Sequence, residues 1–354
     1  MYLPDLLYDF TFLLGLIILL VVAMTYVHLF SQEKRFRISQ HIQNYADLWL
    51  SQALADNISA IPVLKLPPEL SRYMKKKINR QIVIDQLVTA KKNLMGDAAK
   101  NIISLYKQLH LVNDSFSKLN SRKWYKIALG IQELYIMEQR EALQLIEKYA
   151  GHKNELVRTE VQIALVNLLG FNGLHFLDGL SSPISSWQQA RLLEELRPMD
   201  MCDMPRLNLW LHSHNKDVIM FALKLVEVYY EAEAYEAVLT CLRHPDEGVR
   251  RQAVNSIARM AKVSIIAVLI AQYKCESPRN KKNILFHLEG IATDSELTFL
   301  LTELKEEKNT ARLDVARVIA MAYPNGLQLL AEKANETPLL YGNIYLHIKR
   351  ELTL

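Results

Sequence analysis

Apolar residues recur along this chain every 30 or 31 residues, and this repeat limits what the chain can fold into. Its anchor positions are Val157, Gln188, Val218, Val249, Asn280, Ala311 and Gly342. Four positions later stand Val161, Leu192, Ala222, Ala253, Ile284, Val315 and Leu346, and eight positions later Leu165, Leu196, Val226, Ile257, Leu288, Ile319 and Arg350. Offsets of four and eight stay on one face of an α-helix, so each copy predicts one amphipathic helix.

The copy at residues 233–262 indicates that the repeating unit is a pair of helices. Glu233–Leu242 and Val249–Lys262 each carry an apolar stripe with helical spacing. Between them, Pro245 cannot continue the first helix, and Asp246 suits the N-cap of the second. Neither helix can bury its stripe alone, so neighbouring units must stack. The prediction is an all-α fold, a right-handed α-solenoid of about seven to eight hairpins of ~31 residues, preceded by one transmembrane helix.

The second helices resemble those of HEAT repeats. The segments that carry the resemblance are DEGVRRQAVNSIARMA (246–261), NELVRTEVQIALVNLL (154–169), TARLDVARVIAMA (310–322) and, more loosely, NKDVIMFALKLVEV (215–228). The Asp or Asn that the family carries in its turn is matched by Asn154, Asn215 and Asp246. The family also carries a basic residue directly after the first apolar position. Arg158, Arg250 and Arg312 match it, whereas Ile219 and Asn343 depart from it. The units are also shorter than the ~40–47 residues of eukaryotic HEAT repeats and are closer to compact bacterial ones. The resemblance implies a scaffold that binds other proteins.

The N-terminal segment predicts a membrane anchor. Residues 10–27 contain no charge, and Leu29 and Phe30 extend the apolar run past His28. About 20 apolar residues cross the hydrocarbon layer as a helix, so we predict a transmembrane helix over residues 10–30. The alternative is a signal peptide, but the preceding residues are acidic rather than basic.

The charges that flank the anchor predict its orientation. Residues 1–9 contain no Lys or Arg, whereas Lys34, Arg35 and Arg37 follow the apolar run. The positive-inside rule therefore places residues 1–9 outside and the rest of the chain in the cytoplasm, as a single-pass protein of the inner membrane.

A basic region follows the anchor, and we treat residues 31–93 as a separate helical region before a solenoid domain at residues 94–354. Residues 31–100 hold 12 Lys and Arg against 6 Asp and Glu, and prolines at residues 62–68 break the region. The candidate membrane-surface residues are Lys34, Arg35, Arg37, Lys75, Lys76, Lys77 and Arg80. Attraction to anionic headgroups is one interpretation, and charges that only set topology are the other. The solenoid begins with an atypical copy anchored at Lys126, where we expect Trp124 and Tyr125 to cover its open end.

Basic residues on the second helices are the candidate contacts for a protein partner. They are Arg158, Arg250, Arg251, Lys281 and Arg312. In HEAT proteins this helix layer lines the concave face, so these side chains would meet a partner. The alternative is a ladder of hydrogen bonds from Arg158, Arg250 and Arg312 to neighbouring turns.

Motifs for catalysis are missing from the sequence. It contains no P-loop, GxGxxG, HExxH or nucleophile elbow, so we expect neither an enzyme nor a cofactor or metal ion. Three cysteines, Cys202, Cys241 and Cys275, are too widely spaced for a metal motif, and the apolar stripe around Cys241 predicts a buried thiol. The histidines at the turns (His152, His212, His214 and His244) leave a metal or pH-sensing row as a minor alternative.

Three classes of function remain. The first is a membrane-anchored scaffold that holds a protein partner, and the resemblance associates this layout with bacterial envelope polysaccharide synthesis or signalling. The second is a HEAT-like nucleic-acid-binding protein or DNA glycosylase, although the charges of residues 101–354 nearly cancel and phosphate binding needs a basic stripe. The third is a HEAT-like lyase or a hydroxylase of the deoxyhypusine type, but the paired His-Glu iron ligands of the hydroxylase are missing.

Overall fold

The first helix, α1 (Leu3–Ala55), is the longest element and runs for 53 residues. The computed structural model describes residues 3–55, 68–199, 204, 206–229, 232–260, 265–306 and 310–353. The sequence predicted a transmembrane helix that ends near residue 30 and a second helix after it, but α1 is continuous. Neither proline nor glycine occurs in residues 16–55, so nothing in the sequence ends the helix there. The charged residues from Glu33 onward favour water over lipid, but they do not interrupt the helical backbone.

The N-terminal part of α1 is long and apolar enough to cross a membrane. Residues 10–44 include an 18-residue window of mean hydropathy 2.6, none of it buried against the rest of the protein. Large apolar side chains from Phe10 to Phe30 are 46–76% exposed. A soluble helix would bury such a surface, so this segment is suited to a lipid environment.

The chain divides into two compact units, residues 1–173 and 174–354, and the described residues are helical without a β-strand. After α1, the helices of the first unit are α2 (Pro68–Tyr73), α3 (Lys77–Asn93), α4 (Gly96–Gln108), α5 (Val112–Leu119), α6 (Trp124–Ile136), α7 (Leu143–Glu147) and α8 (Glu155–Leu169). Those of the second are α9 (Ser186–Leu196), α10 (Leu207–Leu211), α11 (Lys216–Tyr229), α12 (Tyr235–Cys241), α13 (Glu247–Arg259), α14 (Ile265–Cys275), α15 (Pro278–Leu288), α16 (Leu297–Lys305), α17 (Arg312–Ala322), α18 (Gly326–Glu336) and α19 (Pro338–Thr353). The described 3-10 helices are Arg140–Ala142, Gly170–Gly179, Ala232–Ala234 and Asp294–Glu296.

A single hydrophobic cluster joins α1 to the helices that follow it in the first unit. Its buried members are Ile42, Leu70, Val83, Ile84, Leu87, Ile102, Leu105, Tyr106, Leu111 and Met137. The boundary predicted between residues 93 and 94 falls inside this cluster, because α3 and α4 share one core. The described residues on the two sides of this boundary therefore pack together, and the division of the chain into domains stays a prediction. Most of the predicted proline break, residues 62–67, lies outside the described residues, and Pro68 begins α2.

A buried polar network also holds the first unit together. The side chain of Glu133 in α6 is 2% exposed and forms an ion pair with Lys118 of α5. Gln81 of α3 donates hydrogen bonds to Glu133 at 2.7 Å and to Asp85 at 2.8 Å. Burial, the largest influence, raises the pKa of Asp85. Because every charged member has a partner, the network fixes the packing of α3, α5 and α6.

In the second unit, helices pack in consecutive pairs. The helices α10, α12, α14, α16 and α18 pack against α11, α13, α15, α17 and α19, respectively. Each of these latter helices also packs against the next one, from α11 to α19. The close approach of α18 to α17 depends on Gly326, where a Cβ atom would overlap the backbone carbonyl of Ile319.

The predicted repeat register agrees with burial in six of its seven copies. From Val157 to Ala311, the anchors and the residues four and eight positions later are each at most 5% exposed. The seventh copy is wrong, because Leu346 in α19 is 50% exposed and Arg350 is also exposed. Instead Tyr341 (6% exposed) and Ile348 (0%) are buried, so the stripe of α19 begins one residue earlier. In the described part of the chain, α17 and α18 pack against α19, and the side of α19 that carries Leu346 stays exposed.

The predicted turn residues cap their helices. Asn154 accepts a hydrogen bond from the backbone nitrogen of Leu156 at 3.0 Å, and Asp246 accepts from Gly248 at 2.8 Å. Asn215 accepts from Asp217 at 3.0 Å in the same way. These side chains satisfy donors that a helix start leaves free, which explains why Asp and Asn recur at this place in the repeat.

Candidate interaction surface

The basic residue of the best repeat, Arg250, bridges two helix pairs rather than facing open solvent. Its Nε and Nη2 atoms donate to the carboxylate of Glu276 at 2.8 and 3.2 Å, and Nη1 donates to the carbonyls of His244 and Pro245 at 2.9 and 3.0 Å. The Glu276 side chain is fully buried and also accepts from Asn280 and Gln272 at 3.0 and 2.6 Å. This geometry is that of the hydrogen-bond ladder.

Arg158 is placed in the same way, since its Nη1 donates to the carbonyls of His152 and Lys153 at 2.9 and 3.2 Å. The ammonium of Lys281 lies 4.8 Å from the centroid of the Tyr273 ring. Nη1 of Arg312 is buried without a hydrogen-bond partner among the described residues. Arg251 is partly exposed. The structure therefore gives Arg158 and Arg250 roles in the turns, and it leaves Arg251 partly exposed with its guanidinium near Gly248 at the start of α13.

Helical geometry explains this placement. In the six copies from Val157 to Ala311, each anchor is buried, and so are the positions four and eight residues after the anchor. At about 100° per residue, the position directly after an anchor, where Arg158 and Arg250 stand, lies beside the position eight residues after that anchor and thus at the edge of the buried side. The positions six and ten residues after an anchor lie on the opposite side, and in four consecutive second helices they are the accessible ones. We call these eight residues the second-helix face: Lys224, Val228, Asn255, Arg259, Phe286, Gly290, Arg317 and Met321, all partly or fully exposed.

Three apolar side chains stand out on the second-helix face. Phe286 is 70% exposed, Met321 is 51% exposed and Val228 is 49% exposed. Phe286 stands six residues after its anchor, and Val228 and Met321 stand ten residues after theirs, so all three lie on the side of α11, α15 and α17 that is opposite the buried stripe. Aromatic and methionine side chains are enriched in protein–protein interfaces.

Polar contacts connect neighbouring helices along the second-helix face. Lys224 donates to Gln189 at 2.9 Å, and Gln252 donates to Glu227 at 2.6 Å. Asn255 accepts from Asn283 at 2.8 Å and lies 3.0 Å from Nε2 of His287. Further along, Arg317 pairs with Glu351 through two bonds of 2.9 and 3.1 Å. The face is thus held by its own side chains before any partner binds.

The electrostatics of this face are mixed. Burial is the main cause that lowers the pKa values of Lys224 and His287. The hydrogen bonds that Arg317 donates to Glu351 and Asp314 hold the pKa of Arg317 above its usual value. Arg317 is thus paired with carboxylates. Asn255, Phe286 and Met321 stand among the cations of the face, so these cations do not form the unbroken basic stripe that phosphate binding requires.

Two grooves lie at the turn edges of the second unit. The first, about 780 Å³, includes Asp178 and Trp210, and the indole Nε1 of Trp210 donates to Asp178 at 2.8 Å. The second, about 890 Å³, includes Arg243, Arg250 and Cys275. The thiol of Cys275 is exposed, whereas burial raises the pKa of Cys241 to about 11, as expected for the predicted buried thiol. Cys202 lies outside the described residues.

Two of the turn histidines, His152 and His244, accept hydrogen bonds from backbone nitrogens of their own turns. Nδ1 of His152 accepts from the backbone nitrogen of Asn154 at 3.0 Å, and Nδ1 of His244 accepts from Asp246 at the same distance. His212 and His214 line the first groove. Within the described part of the chain, no cluster of three or more His, Cys, Asp and Glu side chains is placed to hold a metal ion.

The predicted membrane-surface residues separate into two groups. Lys34, Lys75, Lys76 and Lys77 are exposed, and Arg37 is exposed beside Glu33 in α1. Arg80 instead donates to Asp114 of α5 at 2.8 and 2.9 Å, so its guanidinium ties α3 to α5 and is not free for headgroups. The side chain of Arg35 lies outside the described residues.

Sequence reasoning missed Trp124 and Tyr125 as surface residues. They were expected to cover the end of the array, but they are 42% and 48% exposed. Their rings contact edge to face at a centroid distance of 5.9 Å. Their neighbours Arg122, Lys123 and Lys126 are exposed as well, and this local run of basic and aromatic residues is the signal that could have identified them.

Comparison with known proteins assigns the chain to no family: no family model matches it, and no curated protein matches it significantly.

Proposed function

We propose that this protein is a single-pass scaffold of the inner membrane, with its helical body in the cytoplasm, and that it binds a protein partner. The observation that carries the proposal is that the chain combines two features. The apolar residues 10–30 of α1 are exposed, and the helices of the body pack in pairs that share one repeat register. A tethered binding surface gains effective concentration for its partner at the bilayer without any new contact.

The body is, in this proposal, a right-handed HEAT-like solenoid of about seven to eight hairpins. Three observations support it. The pairwise packing of consecutive helices in the second unit follows the order expected for stacked hairpins, and buried anchors recur at the repeat period. Asn154, Asn215 and Asp246 cap their helices in the turns, at the place where HEAT repeats carry Asp or Asn.

The partner binds the second-helix face. Exposed Phe286, Met321 and Val228 supply apolar contact area, and the paired polar side chains between them supply orientation. Arg251 flanks this face. Because hydrogen bonds along the second-helix face already order Asn255, Arg317 and their partners, binding would cost little side-chain entropy. The chain acts by binding, so its affinity is spread over a surface rather than concentrated in a catalytic group.

Cross-linking in native membranes tests the surface. A photoreactive residue at Phe286 in the full chain should give a discrete cross-linked protein, and Met321 should capture the same protein. Leu209, which is 57% exposed on α10, is the matched control and should not. Arg259→Glu should reduce the yield at Phe286, whereas Arg243→Glu, an equal charge change at the second groove, should leave it unchanged.

Equal yields at Phe286 and Leu209, or capture at neither Phe286 nor Met321, would contradict the assignment of this face. Circular dichroism of the variants in detergent shows whether each one retains the helix content of the wild type.

A further inference from the structure

The first unit carries an exposed patch of basic and aromatic side chains that the scaffold proposal does not use. Its members come from the turn before α3 and the first residues of α3, and from the turn between α5 and α6 and the first residues of α6. They are Lys75, Lys76, Lys77, Ile78, Arg122, Lys123, Trp124, Tyr125 and Lys126, and all are exposed. We call this set the basic-aromatic patch.

Contacts between α3 and α5 place the two turns on the same side of the first unit. Nζ of Lys77 donates to Oγ of Ser117 at 2.9 Å, and Arg80 forms two bonds to Asp114. Ser117 lies in the last turn of α5, which ends at Leu119. The residues from Arg122 onward follow within a few positions, so both halves of the patch meet at the C-terminal end of α5.

The charge of the patch is uncompensated. Within the part of the chain that the structure describes, none of its six cations forms an ion pair. Asp114, an acidic group beside the patch, is already bound to Arg80. Apolar surface lies among these cations, since Ile78 is 62% exposed, and Nζ of Lys123 lies 5.9 Å from the Tyr125 ring centroid. An ordinary solvated helix face would hold both signs of charge and fewer large apolar groups.

The core cluster keeps the patch close to the bilayer. Ile38 and Ile42 of α1 pack into the cluster that also packs against Met74, the residue before Lys75. Ile38 follows Phe30 by eight residues, which is ~12 Å of helix. The headgroup layer beyond the hydrocarbon is itself about 5–8 Å thick. The body of the first unit therefore begins close to the headgroups.

We propose that the basic-aromatic patch docks on the anionic lipid surface of the membrane that α1 crosses. The ammonium and guanidinium groups bind headgroup phosphates, while Trp124, Tyr125 and Ile78 enter the interface, where amphipathic rings are favoured. This proposal rests on the membrane anchoring proposed above. Docking would hold the first unit against the bilayer and would set the direction in which the chain extends from the bilayer.

A nucleic acid would also suit basic and aromatic groups in isolation. The lipid surface is favoured because the same rigid cluster that holds Met74 holds α1, so headgroups are within reach at a high local concentration. Nucleic acid has no comparable link to this part of the chain. Binding of an oligonucleotide is therefore treated as a competing outcome of the test.

Tryptophan fluorescence of the full chain in vesicles tests the docking. The protein is reconstituted into phosphatidylcholine vesicles with or without phosphatidylglycerol, and each preparation contains a lipid with a spin label on its headgroup. Short-range quenching should be stronger with phosphatidylglycerol. Trp124→Phe should remove that increase, whereas Trp187→Phe, at a site of similar exposure in the second unit, should keep it. Both changes are conservative, and circular dichroism monitors the fold.

Charge reversal supplies the second arm. The triple change Lys75→Glu, Lys76→Glu and Lys123→Glu should abolish the increase caused by phosphatidylglycerol. The equal charge change Lys274→Glu, Arg279→Glu and Lys305→Glu, at exposed positions of the second unit, should not affect it.

Three results would overturn the docking: quenching that ignores phosphatidylglycerol, a Trp124→Phe variant that is quenched like the wild type, or an oligonucleotide that changes Trp124 fluorescence where anionic lipid does not. Release of the protein from the same vesicles by alkaline carbonate would contradict the anchoring and the docking together. A retained protein without Trp124 quenching would contradict the docking alone.

Discussion

Replacement of Ala253 by glutamate is expected to lower the free energy of unfolding by several kcal/mol. Ala253 is fully buried at the position four residues after the anchor Val249, and α13 packs there against α11 and α15. A carboxylate at this site would be buried without a partner, or would have to take up a proton and remain overpacked. Thermal unfolding of the full chain in a mild detergent, followed by circular dichroism, measures the loss.

Arg251→Glu is the matched control, because Arg251 lies two residues away on the same helix and is partly exposed. Substitutions at such sites usually change stability by about 0.5 kcal/mol or less. If both variants unfolded at the same temperature, the repeat register in α13 would be contradicted.

Replacement of Glu276 by alanine is the second change with a large expected effect. It removes the acceptor for Arg250, Gln272 and Asn280 at the contact between successive helix pairs. Loss of one partner from a buried ion pair costs about 3–5 kcal/mol, and we expect the lower end because Arg250 retains 21% exposure and can be partly rehydrated. Denaturant unfolding of the wild type and the variant measures the difference.

The pH dependence of the same site separates charge from packing. Burial alone would raise the pKa of Glu276, but hydrogen bonds from Arg250, Gln272 and Asn280 outweigh it and hold the pKa below its ordinary value of 4.5. A carboxyl group with a lowered pKa stabilises the folded state above its unfolded pKa and loses this contribution as the pH falls through its folded pKa. Stability should therefore decrease on acidification below about pH 4.5, and less steeply in Glu276→Gln. Identical pH profiles for the two proteins would assign the acid sensitivity to other carboxyl groups.

The helical repeat could be predicted from sequence because it depends on local periodicity. Positions such as Val249, Ala253 and Ile257 alternate with polar ones at the helix period, and any packed array of these helices must bury them. The prediction that Leu346 is buried was wrong, and sequence periodicity alone could not have shown this. In α19, burial depends on which neighbouring helices pack against it, and Tyr341 and Ile348 are the residues that are buried.

The interaction surface was harder to predict because it depends on angles between residues and on long-range partners. The basic position after each anchor appeared to be a surface feature, but Arg250 finds Glu276 in the next helix pair, 26 residues away in sequence. Arg80 likewise finds Asp114 across 34 residues. Conversely, Phe286 and Trp124 are residue types that usually lie in a core, and only the packed structure shows that they are exposed.

The location of the C-terminus, measured together with resistance to extraction, tests the central claim most directly. If α1 crosses the bilayer as proposed, the full chain with a reporter fused after Leu354 should stay in the membrane pellet after alkaline carbonate treatment. A fluorescent reporter that works only in the cytosol should be active there, and an export-dependent enzyme at the same site should be silent, because basic residues follow the apolar segment. Release of the protein by carbonate, or activity of the export-dependent reporter, would contradict a membrane-anchored cytoplasmic scaffold.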